Sequence, residues 1–340
     1  MPVHTDIGTV PDTLQAITRP NGGLRPDRGL SARIGGPADN SSPAPAEGIY
    51  TRARIGWPMA GLEKRRFGKT GRQVTSVGLG GEGILRTYGR HAEANAVIME
   101  ALNQGIAYFD SAKAYAGSED YYGEVWVRRP DLRAPVFQAS KSASRAHADA
   151  EMDLQETLRR MGIEILDLWQ IHDVRTFSEI REIEGPGGAL AAFVEAKEMG
   201  IVRQIGVTGH HDPDVLSHAV ESWPVDAVMM PANPVEGALG GFLDATLSAA
   251  RDQGVAVIGM KVLGGSNYLV PDAGVTPETL VRYALAQDIS VAIVGCSTPA
   301  EVQALAAAGR SGSLPDDEAD ALVEAFRPYA RELAYYRGSL

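Results

Sequence analysis

The sequence has a single cysteine, Cys296, among its 340 residues, so no disulfide can form within the chain. That scarcity is typical of proteins from a reducing compartment, and we expect a cytoplasmic protein in which Cys296 is buried. No apolar run reaches the roughly 18 residues that a membrane-spanning helix requires, and the N-terminus lacks the apolar stretch of a secretory signal. We therefore expect a protein that is neither exported nor inserted in a membrane.

Positive charge is also in short supply. Acidic residues outnumber lysine and arginine by 43 to 32, which gives a formal net charge of −11 and a pI near 5.2. This balance argues against nucleic acid or an anionic membrane as the main partner. At 44% hydrophobic residues the chain has ample material for a core. A small molecule is therefore the expected partner, and the sequence does not indicate an oligomeric state.

Residues 1–58 differ in composition from the rest of the chain. They are rich in Pro, Gly, Ser and Ala and show no sustained period of 2 or 3.6 residues, which is typical of a disordered leader. Asp6 and Asp12 are among several acidic residues that argue against a transit peptide. We expect the ordered domain to occupy residues 59–340. Because that segment opens on Met59, we hypothesise that the leader is dispensable.

From Gly61 onward, short β-branched runs alternate with longer amphipathic segments, which is the pattern of βαβ units and a parallel sheet. Eight strands are predicted, at residues 76–79, 107–110, 136–141, 165–171, 205–207, 227–230, 255–260 and 291–294. Helices are predicted between them, for example at residues 93–103, 148–161, 190–199, 212–221, 242–252 and 277–286. Eight strands joined by such crossovers predict an α/β fold, a closed (β/α)8 TIM barrel, rather than a doubly wound sheet.

Two further elements are predicted outside the barrel strands. A hairpin around the turn at residues 68–71 is placed to plug the amino end of the barrel, and an extra helix over residues 315–332 follows the last barrel helix. The glycines at residues 78–83 follow the first strand, as in a Rossmann phosphate loop, but the third glycine of GxGxxG is not at the required spacing. The barrel therefore remains the prediction.

Four residues stand at or just beyond the carboxyl ends of predicted strands: Asp110, Tyr115, Lys141 and His172. In α/β barrels this end of the strands carries the chemistry. Taken singly, each has an ordinary structural explanation, such as a turn cap, a solvated lysine or a histidine in the core. Four such groups on three consecutive strands indicate one site.

Several motifs around these residues resemble the aldo-keto reductases. Asp110 and Tyr115 lie in Phe-Asp-Ser-Ala-Lys-Ala-Tyr, Lys141 ends Val-Phe-Gln-Ala-Ser-Lys, and His172 ends Leu-Asp-Leu-Trp-Gln-Ile-His. The catalytic residues of that family occur in this order and at similar intervals. Similar segments are found at residues 63–71, 200–207 and 293–299, so the resemblance extends over about residues 61 to 310.

The resemblance implies a barrel that binds an extended nicotinamide dinucleotide and interconverts carbonyl compounds and alcohols. Its catalytic residues would be Asp110, Tyr115, Lys141 and His172. Tyr115 would act as general acid, and the ammonium of Lys141 would favour its phenolate. Asp110 would keep Lys141 charged, and His172 would orient or polarise the carbonyl oxygen.

The resemblance also implies cofactor contacts at the strand ends. Family members commonly have Ser-Asn after the fifth strand, Gln in the sixth and an aromatic residue after the seventh, where this chain has Thr208-Gly209, Met229 and Met260-Lys261. Asn233 is the candidate that would compensate, and residues 264–266 form a candidate cradle for the pyrophosphate. The predicted cofactor contacts are Gly80, Gly81, Thr208, Gly209, Asn233, Lys261, Gly264, Gly265, Ser266, Gly295, Cys296 and Ser297.

NADP(H) is the usual cofactor of the family, but the basic residue that often binds its 2′-phosphate after the eighth strand is missing here. Glu301 follows that strand and would repel a phosphate, so NAD(H) is an alternative unless Lys261 or Arg310 takes over the contact. Two other functions stay open. One is a regulatory barrel that binds cofactor with little turnover, and the other is a Schiff-base lyase that uses Lys141.

Paired histidines follow the fifth predicted strand. His210 and His211 would lie on the functional rim of a barrel, where they either contact substrate or cofactor or are solvated. No metal is expected, because these residues and His218 lack acids or cysteines at ligand spacing. The loops after the strands carry no signal for a particular aldehyde, ketone or alcohol.

Overall fold

A computed structural model describes residues 61–338 of the chain. The leader predicted at residues 1–58 and the predicted domain start at Met59 lie outside the described residues. Within residues 61–338, no helix is both long and apolar enough to cross a membrane.

The described chain forms a closed barrel of eight parallel strands and a small antiparallel hairpin. The strands are β1 Lys64–Arg66, β2 Gln73–Thr75, β3 Val77–Gly83, β4 Tyr108–Phe109, β5 Phe137–Ser142, β6 Leu166–Ile171, β7 Val202–Thr208, β8 Ala227–Pro231, β9 Ala256–Met260 and β10 Val291–Cys296. Strands β3 to β10 follow one another around the barrel, and β10 pairs with β3 to close it. The predicted (β/α)8 fold is therefore confirmed, with each of its eight strands at the expected place.

Helices lie between successive barrel strands, and others follow the last strand, β10. Their bounds are α1 His91–Asn103, α2 Ser118–Arg128, α3 Pro130–Arg133, α4 His147–Met161, α5 Phe177–Glu184, α6 Ala189–Glu198, α7 Pro213–Ser222, α8 Pro234–Leu239, α9 Leu247–Gln253, α10 Pro277–Ala286, α11 Pro299–Ser311, α12 Asp316–Phe326 and α13 Ala330–Leu333. A π-helical segment, Phe242–Thr246, leads into α9. The predicted starts of α7 and α10 are confirmed, because the side chains of Asp212 and Thr276 cap them.

The extra helix expected over residues 315–332 is divided in the structure. Helix α12 ends at Phe326, a 3-10 turn spans Arg327–Tyr329, and α13 continues from Ala330. Pro328 lies within that turn, and its ring lacks the N–H that an uninterrupted helix would need. The expected position after the barrel is confirmed, but a single continuous helix is wrong.

The hairpin plugs the barrel as expected. Strands β1 and β2 pair antiparallel, and Phe67 at their turn is fully buried in the barrel core. Its ring centroid lies 4.7 Å from that of Phe137. The turn is fixed to the end of α9, since Lys69 N donates to Gly254 O over 2.9 Å.

Alternation along the strands places the polar groups at one end of the barrel. Tyr108 of β4, Phe137 and Ala139 of β5 and Leu168 of β6 all belong to the interior core cluster. Side chains two residues apart share a face of a strand, so the inward positions that follow are Asp110, Lys141 and, two steps beyond Leu168, His172. The carboxyl rim therefore receives the polar groups of three neighbouring strands.

Candidate active site

A buried ion pair lies at the centre of the rim. Lys141 Nζ is 2.7 Å from Asp110 Oδ2 and donates a second hydrogen bond of 2.7 Å to Ser111 O. Both Lys141 and Asp110 are 1% exposed. Burial raises the pKa of Asp110 and lowers the pKa of Lys141, and in each case the charge of the partner opposes the shift.

Tyr115 packs directly on this pair. The Lys141 ammonium lies 4.8 Å from the centroid of the Tyr115 ring, and the His172 ring lies edge-on at a centroid distance of 5.6 Å. A tight turn positions the residue, with Tyr115 N donating to Ala112 O over 2.9 Å. The structure thus brings all four predicted catalytic residues to one mouth of the barrel.

The electrostatics of the phenol differ from the sequence-based expectation. The pKa of Tyr115 is raised well above its usual value, first by burial and then by the carboxylates of Asp110 and Glu82, while Arg86 opposes the increase. Asp110 lies 2.7 Å from the Lys141 ammonium and offsets its charge, so burial and the carboxylates dominate and the pKa of the phenol is not lowered. Tyr115 therefore carries its proton at neutral pH and is available as a donor.

His172 is fixed by its backbone and is neutral. The backbone N–H of His172 donates to Ser142 O over 2.8 Å. Arg145 donates to the backbone carbonyl oxygens of His172 and Asp173 over 2.9 and 2.8 Å. Burial, together with the charge of Lys141, lowers the pKa of His172 to about 3. An uncharged imidazole can donate a hydrogen bond to a carbonyl oxygen without competing with Lys141 for Asp110.

The lack of a side chain at Gly81 makes room for the Tyr115 ring. A Cβ at this position would lie 2.6 Å from Tyr115 Cδ2, closer than side-chain atoms approach one another. At the preceding position, a Cβ on Gly80 would lie 2.8 Å from Gly295 N, so the first and last barrel strands can meet closely. The two glycines that were predicted as cofactor contacts thus have packing roles in the described structure.

Known proteins resemble this chain in sequence and in fold. The model of the aldo/keto reductase family matches residues 76–270, which is more than half of the 340-residue chain. The chain belongs to the aldo/keto reductase family. The resemblance drawn from the motifs is thereby confirmed.

Individual relatives of this aldo/keto reductase are distant. An NADP(+) aldo-keto reductase of Schizosaccharomyces pombe is 27% identical over 207 residues, covering 56% of this chain and 58% of that protein. L-galactose dehydrogenase of Arabidopsis thaliana is 29% identical over 165 residues, covering 44% and 50%. The chain thus spans about half the length of the curated relatives it matches. A holo aldo-keto reductase structure from Bacillus halodurans has a TM-score of 0.64 at 20% identity, covering 82% and 98%, and supports the fold.

Thr208 and Gly209, the predicted nicotinamide contacts at the end of β7, form hydrogen bonds within the protein. Thr208 is 2% exposed, and its hydroxyl accepts a 2.8 Å hydrogen bond from Asp173 N. Gly209 N donates to Met229 O, and a Cβ on Gly209 would lie 3.0 Å from Val174 O. Thr208 therefore orders the loop behind His172 in the structure, and Gly209 permits close packing there.

Asn233 anchors the C-terminal tail, residues 334–338. Its amide nitrogen donates to Lys261 O and to the Tyr336 hydroxyl over 3.1 and 3.0 Å, and its amide oxygen caps α8. His210 contacts the same tail through Nδ1, 3.2 Å from Tyr336 O, and lies 3.2 Å from Asp173 through Nε2. The side chain expected to hold the nicotinamide is committed to the tail.

The loop after β9, predicted as a phosphate cradle, contains four residues with positive φ. Lys261, Gly264, Gly265 and Ser266 have φ values of 55°, 55°, 61° and 73°. Residues in the left-handed region beside right-handed ones turn successive N–H groups toward one side and form a concave anion site. In this loop, however, Gly264 N and Ser266 N donate to Lys261 O and Leu263 O over 3.0 and 2.9 Å, so two N–H groups of the predicted cradle are already used within the loop.

The end of β10 and the segment after it contain the last of the predicted cofactor contacts. Ser297 N donates to Glu301 over 2.7 Å, and Thr298 caps α11, so Glu301 stabilises a helix start. Cys296 is buried, and burial raises its pKa to about 12. A Cβ on Gly295 would clash with Glu82. This segment offers a helix N-terminus rather than a basic side chain.

Arg310 does not reach the rim. It lies in the last turn of α11, where it donates to Gln104 O over 3.0 Å. A helix rises about 1.5 Å per residue, which places Arg310 roughly 16 Å from the helix start. The expectation that Arg310 replaces the missing basic residue is wrong because the residue lies at the opposite end of the helix.

Sequence reasoning did not find several residues around the site. They are Glu82 at the end of β3, Arg86 in the turn that follows, Arg145 behind His172, and the tail residues Tyr336 and Arg337. The i, i+4 spacing of an acid and a base directly after a strand was a usable signal for the first two. The tail carried none, because its partner Glu236 is separated from Arg337 by about a hundred residues.

Proposed function

We propose that this aldo/keto reductase transfers a hydride between a nicotinamide cofactor and a small aldehyde, ketone or corresponding alcohol. The observation that carries the proposal is the contact of Tyr115 with the buried Lys141–Asp110 pair and His172 at one rim. A protonated phenol beside a neutral imidazole is suited to donate to a carbonyl oxygen. Each of the four residues then has a separate task.

The chain's own residues move and guide the proton. Tyr115 donates its phenolic proton to the substrate oxygen, and the phenolate that remains is stabilised by the ammonium of Lys141. Asp110 keeps that ammonium charged despite its burial. His172 donates to the same substrate oxygen and fixes its direction. When bound, the nicotinamide supplies the hydride for the carbonyl carbon.

NADP(H) is the favoured cofactor. The relative from Schizosaccharomyces pombe is named for NADP(+), and Lys261 stands beside the positive-φ loop at residues 264–266. Glu301 accepts a hydrogen bond from Ser297 N and keeps its negative charge, so a 2′-phosphate would depend on Lys261. NAD(H) is the alternative if Lys261 does not contact the 2′-phosphate.

A regulatory barrel with little turnover is the second candidate. Thr208 and Asn233 form hydrogen bonds within the protein. These side chains are then not free to hold the nicotinamide carboxamide, which favours the regulator. A Schiff-base lyase is disfavoured by Lys141 itself. Its amine is 1% exposed and held by Asp110, whereas a Schiff base requires a free, accessible amine.

The test is a panel of aldehydes and ketones incubated with the full chain and either NADPH or NADH, followed by cofactor absorbance. We expect turnover with NADPH, a weaker response with NADH, and no adduct on Lys141 after borohydride treatment. Tight cofactor binding without turnover across the panel would favour the regulator. Trapped substrate on Lys141 would favour the lyase.

A further inference from the structure

An ion pair of Glu82 and Arg86 stands at the mouth of the barrel beside Tyr115. Glu82 belongs to the end of β3, and Arg86 closes the 3-10 turn Ile84–Arg86. Arg86 Nη1 donates to Glu82 Oε1 over 2.7 Å, and the two side chains are 50% and 47% exposed. Both charges are therefore open to solvent and to a bound molecule.

The backbone of this turn is fixed relative to Tyr115. Ile84 and Leu85 are buried. The carbonyl oxygen of Thr87 accepts hydrogen bonds from Gly117 N over 2.9 Å and from the Tyr121 hydroxyl over 3.0 Å. Gly117 lies two residues beyond Tyr115, so these hydrogen bonds join the turn that carries Arg86 to the loop that carries the phenol.

The guanidinium lies against the face of the reacting ring. Arg86 Cζ is 5.0 Å from the centroid of Tyr115. The guanidinium is thus the half-exposed cation beside the phenol that would contact the carbonyl oxygen of a substrate. Lys141, the other cation against this ring, is buried and neutralised by Asp110.

Arg86 also has donors to spare for a ligand. A guanidinium carries five N–H groups in a planar fork that matches a carboxylate, and the contact with Glu82 involves Nη1. Ion pairs at half-exposed positions are weak, so a second carboxylate can share or replace Glu82. Uncharged His172 does not compete for such a ligand.

We propose that Arg86 is a specificity-determining residue that binds a carboxylate of the substrate, so that the preferred substrates are carbonyl compounds bearing an acid group. This inference rests on the proposed reductase function. Glu82 orients the guanidinium in the free enzyme and repels the same carboxylate. The pair thus sets how strongly acidic substrates are preferred over neutral ones of the same shape.

The test compares para-carboxybenzaldehyde with its neutral methyl ester in the full chain with NADPH. In Arg86→Gln, the ratio of kcat/KM for the acid to that for the ester should fall about ten- to a hundredfold, mainly through KM, because the lost contact exists before and during the reaction. Glu82→Gln should raise the ratio. Arg90→Gln is the control, since Arg90 is 53% exposed and paired with Glu93 at 2.8 Å, and it should leave the ratio unchanged.

An unchanged ratio in Arg86→Gln would overturn the proposal, and if the rates for both aldehydes also fell equally, Arg86 would act through Tyr115 instead. If wild-type protein reduces neither these aldehydes nor any other member of the panel, the reductase function fails, and the carboxylate site is tested by binding instead. Calorimetric titration of para-(hydroxymethyl)benzoate in the presence of NADP(+) should then show weaker binding to Arg86→Gln than to wild type. Equal affinities would again reject the carboxylate site.

Discussion

Among single residues, the position of Tyr115 depends on neighbours that are either very small or tightly paired. Gly81 leaves space for the ring, and the Lys141–Asp110 pair forms a charged floor under it. His172 supplies an uncharged edge. Replacement of any of these residues would change the geometry or the charge that the phenol meets.

The protonation of His172 gives a test at this level. Its pKa is lowered to about 3 in the folded protein, whereas an unfolded histidine titrates near 6.5. Between these two pKa values, the unfolded chain binds a proton on His172 that the folded chain does not bind. The free energy of unfolding therefore decreases as the pH falls through this interval. His172→Gln should remove this part of the pH dependence.

The measurement is urea unfolding of wild type and His172→Gln at pH 7 and pH 5. The other titratable groups contribute equally to both proteins. On acidification the wild type should therefore lose about 1–2 kcal/mol more free energy of unfolding than the variant. Equal losses would show that His172 titrates normally in the folded state.

Among the elements, the C-terminal tail is tied to the barrel by a buried acid. Glu236 of α8 is fully buried, and its carboxylate accepts from the Tyr336 hydroxyl over 2.8 Å and from Arg337 Nε over 3.2 Å. The tail also meets His211, whose carbonyl accepts from Gly338 N. It therefore links the strand ends of β7, β8 and β9.

Arg337→Met should be strongly destabilising, because it leaves Glu236 buried without its cation. The expected loss in the free energy of unfolding is about 3–5 kcal/mol, from chemical denaturation. Arg327→Met is the matched control, since Arg327 pairs with Glu324 at the surface, and it should cost less than about 1 kcal/mol. The double variant Glu236→Gln with Arg337→Met should recover part of the stability. Equal effects of the two arginine variants would reject this role of the tail.

The sequence predicts the barrel strands but not the contacts of this tail. Buried barrel strands such as β6 and β9 are short apolar runs between helices, and their strand ends carry the polar residues that the motifs contain. Contacts such as Tyr336 with Asn233 join residues far apart in the chain. No local pattern encodes them, so the sequence does not predict the contact of Asn233 with the tail.

The raised pKa of Tyr115 has a similar explanation. The sequence placed Lys141 near the phenol, but it did not show that Asp110 would lie at 2.7 Å from that ammonium while Glu82 faced the same space. Burial and the carboxylates of Asp110 and Glu82 raise the pKa of Tyr115, and Arg86 opposes the increase. The strength of a charge effect depends on such distances, and they become defined only when the barrel closes.

In the whole molecule, the hairpin closes the end of the barrel opposite the site. Phe67 is fully buried and packs on Tyr108 and Phe137, the layer beneath Asp110 and Lys141. Phe67→Ala should cost about 3–5 kcal/mol in unfolding free energy, measured by denaturant titration. Tyr88→Ala, at a position that is 78% exposed, should change stability by less than about 0.5 kcal/mol. A loss for Phe67→Ala as small as that would show that the hairpin does not contribute to the core.

The central claim is that the barrel delivers one proton from Tyr115 to a substrate oxygen. Its most direct test is the rate of NADPH oxidation with a good aldehyde substrate in Tyr115→Phe, beside Tyr108→Phe, whose hydroxyl is buried without a hydrogen-bond partner among the described residues. Loss of the proton donor should lower kcat at least about a hundredfold, with the control close to wild type. A Tyr115→Phe protein that is as fast as the control would contradict the account.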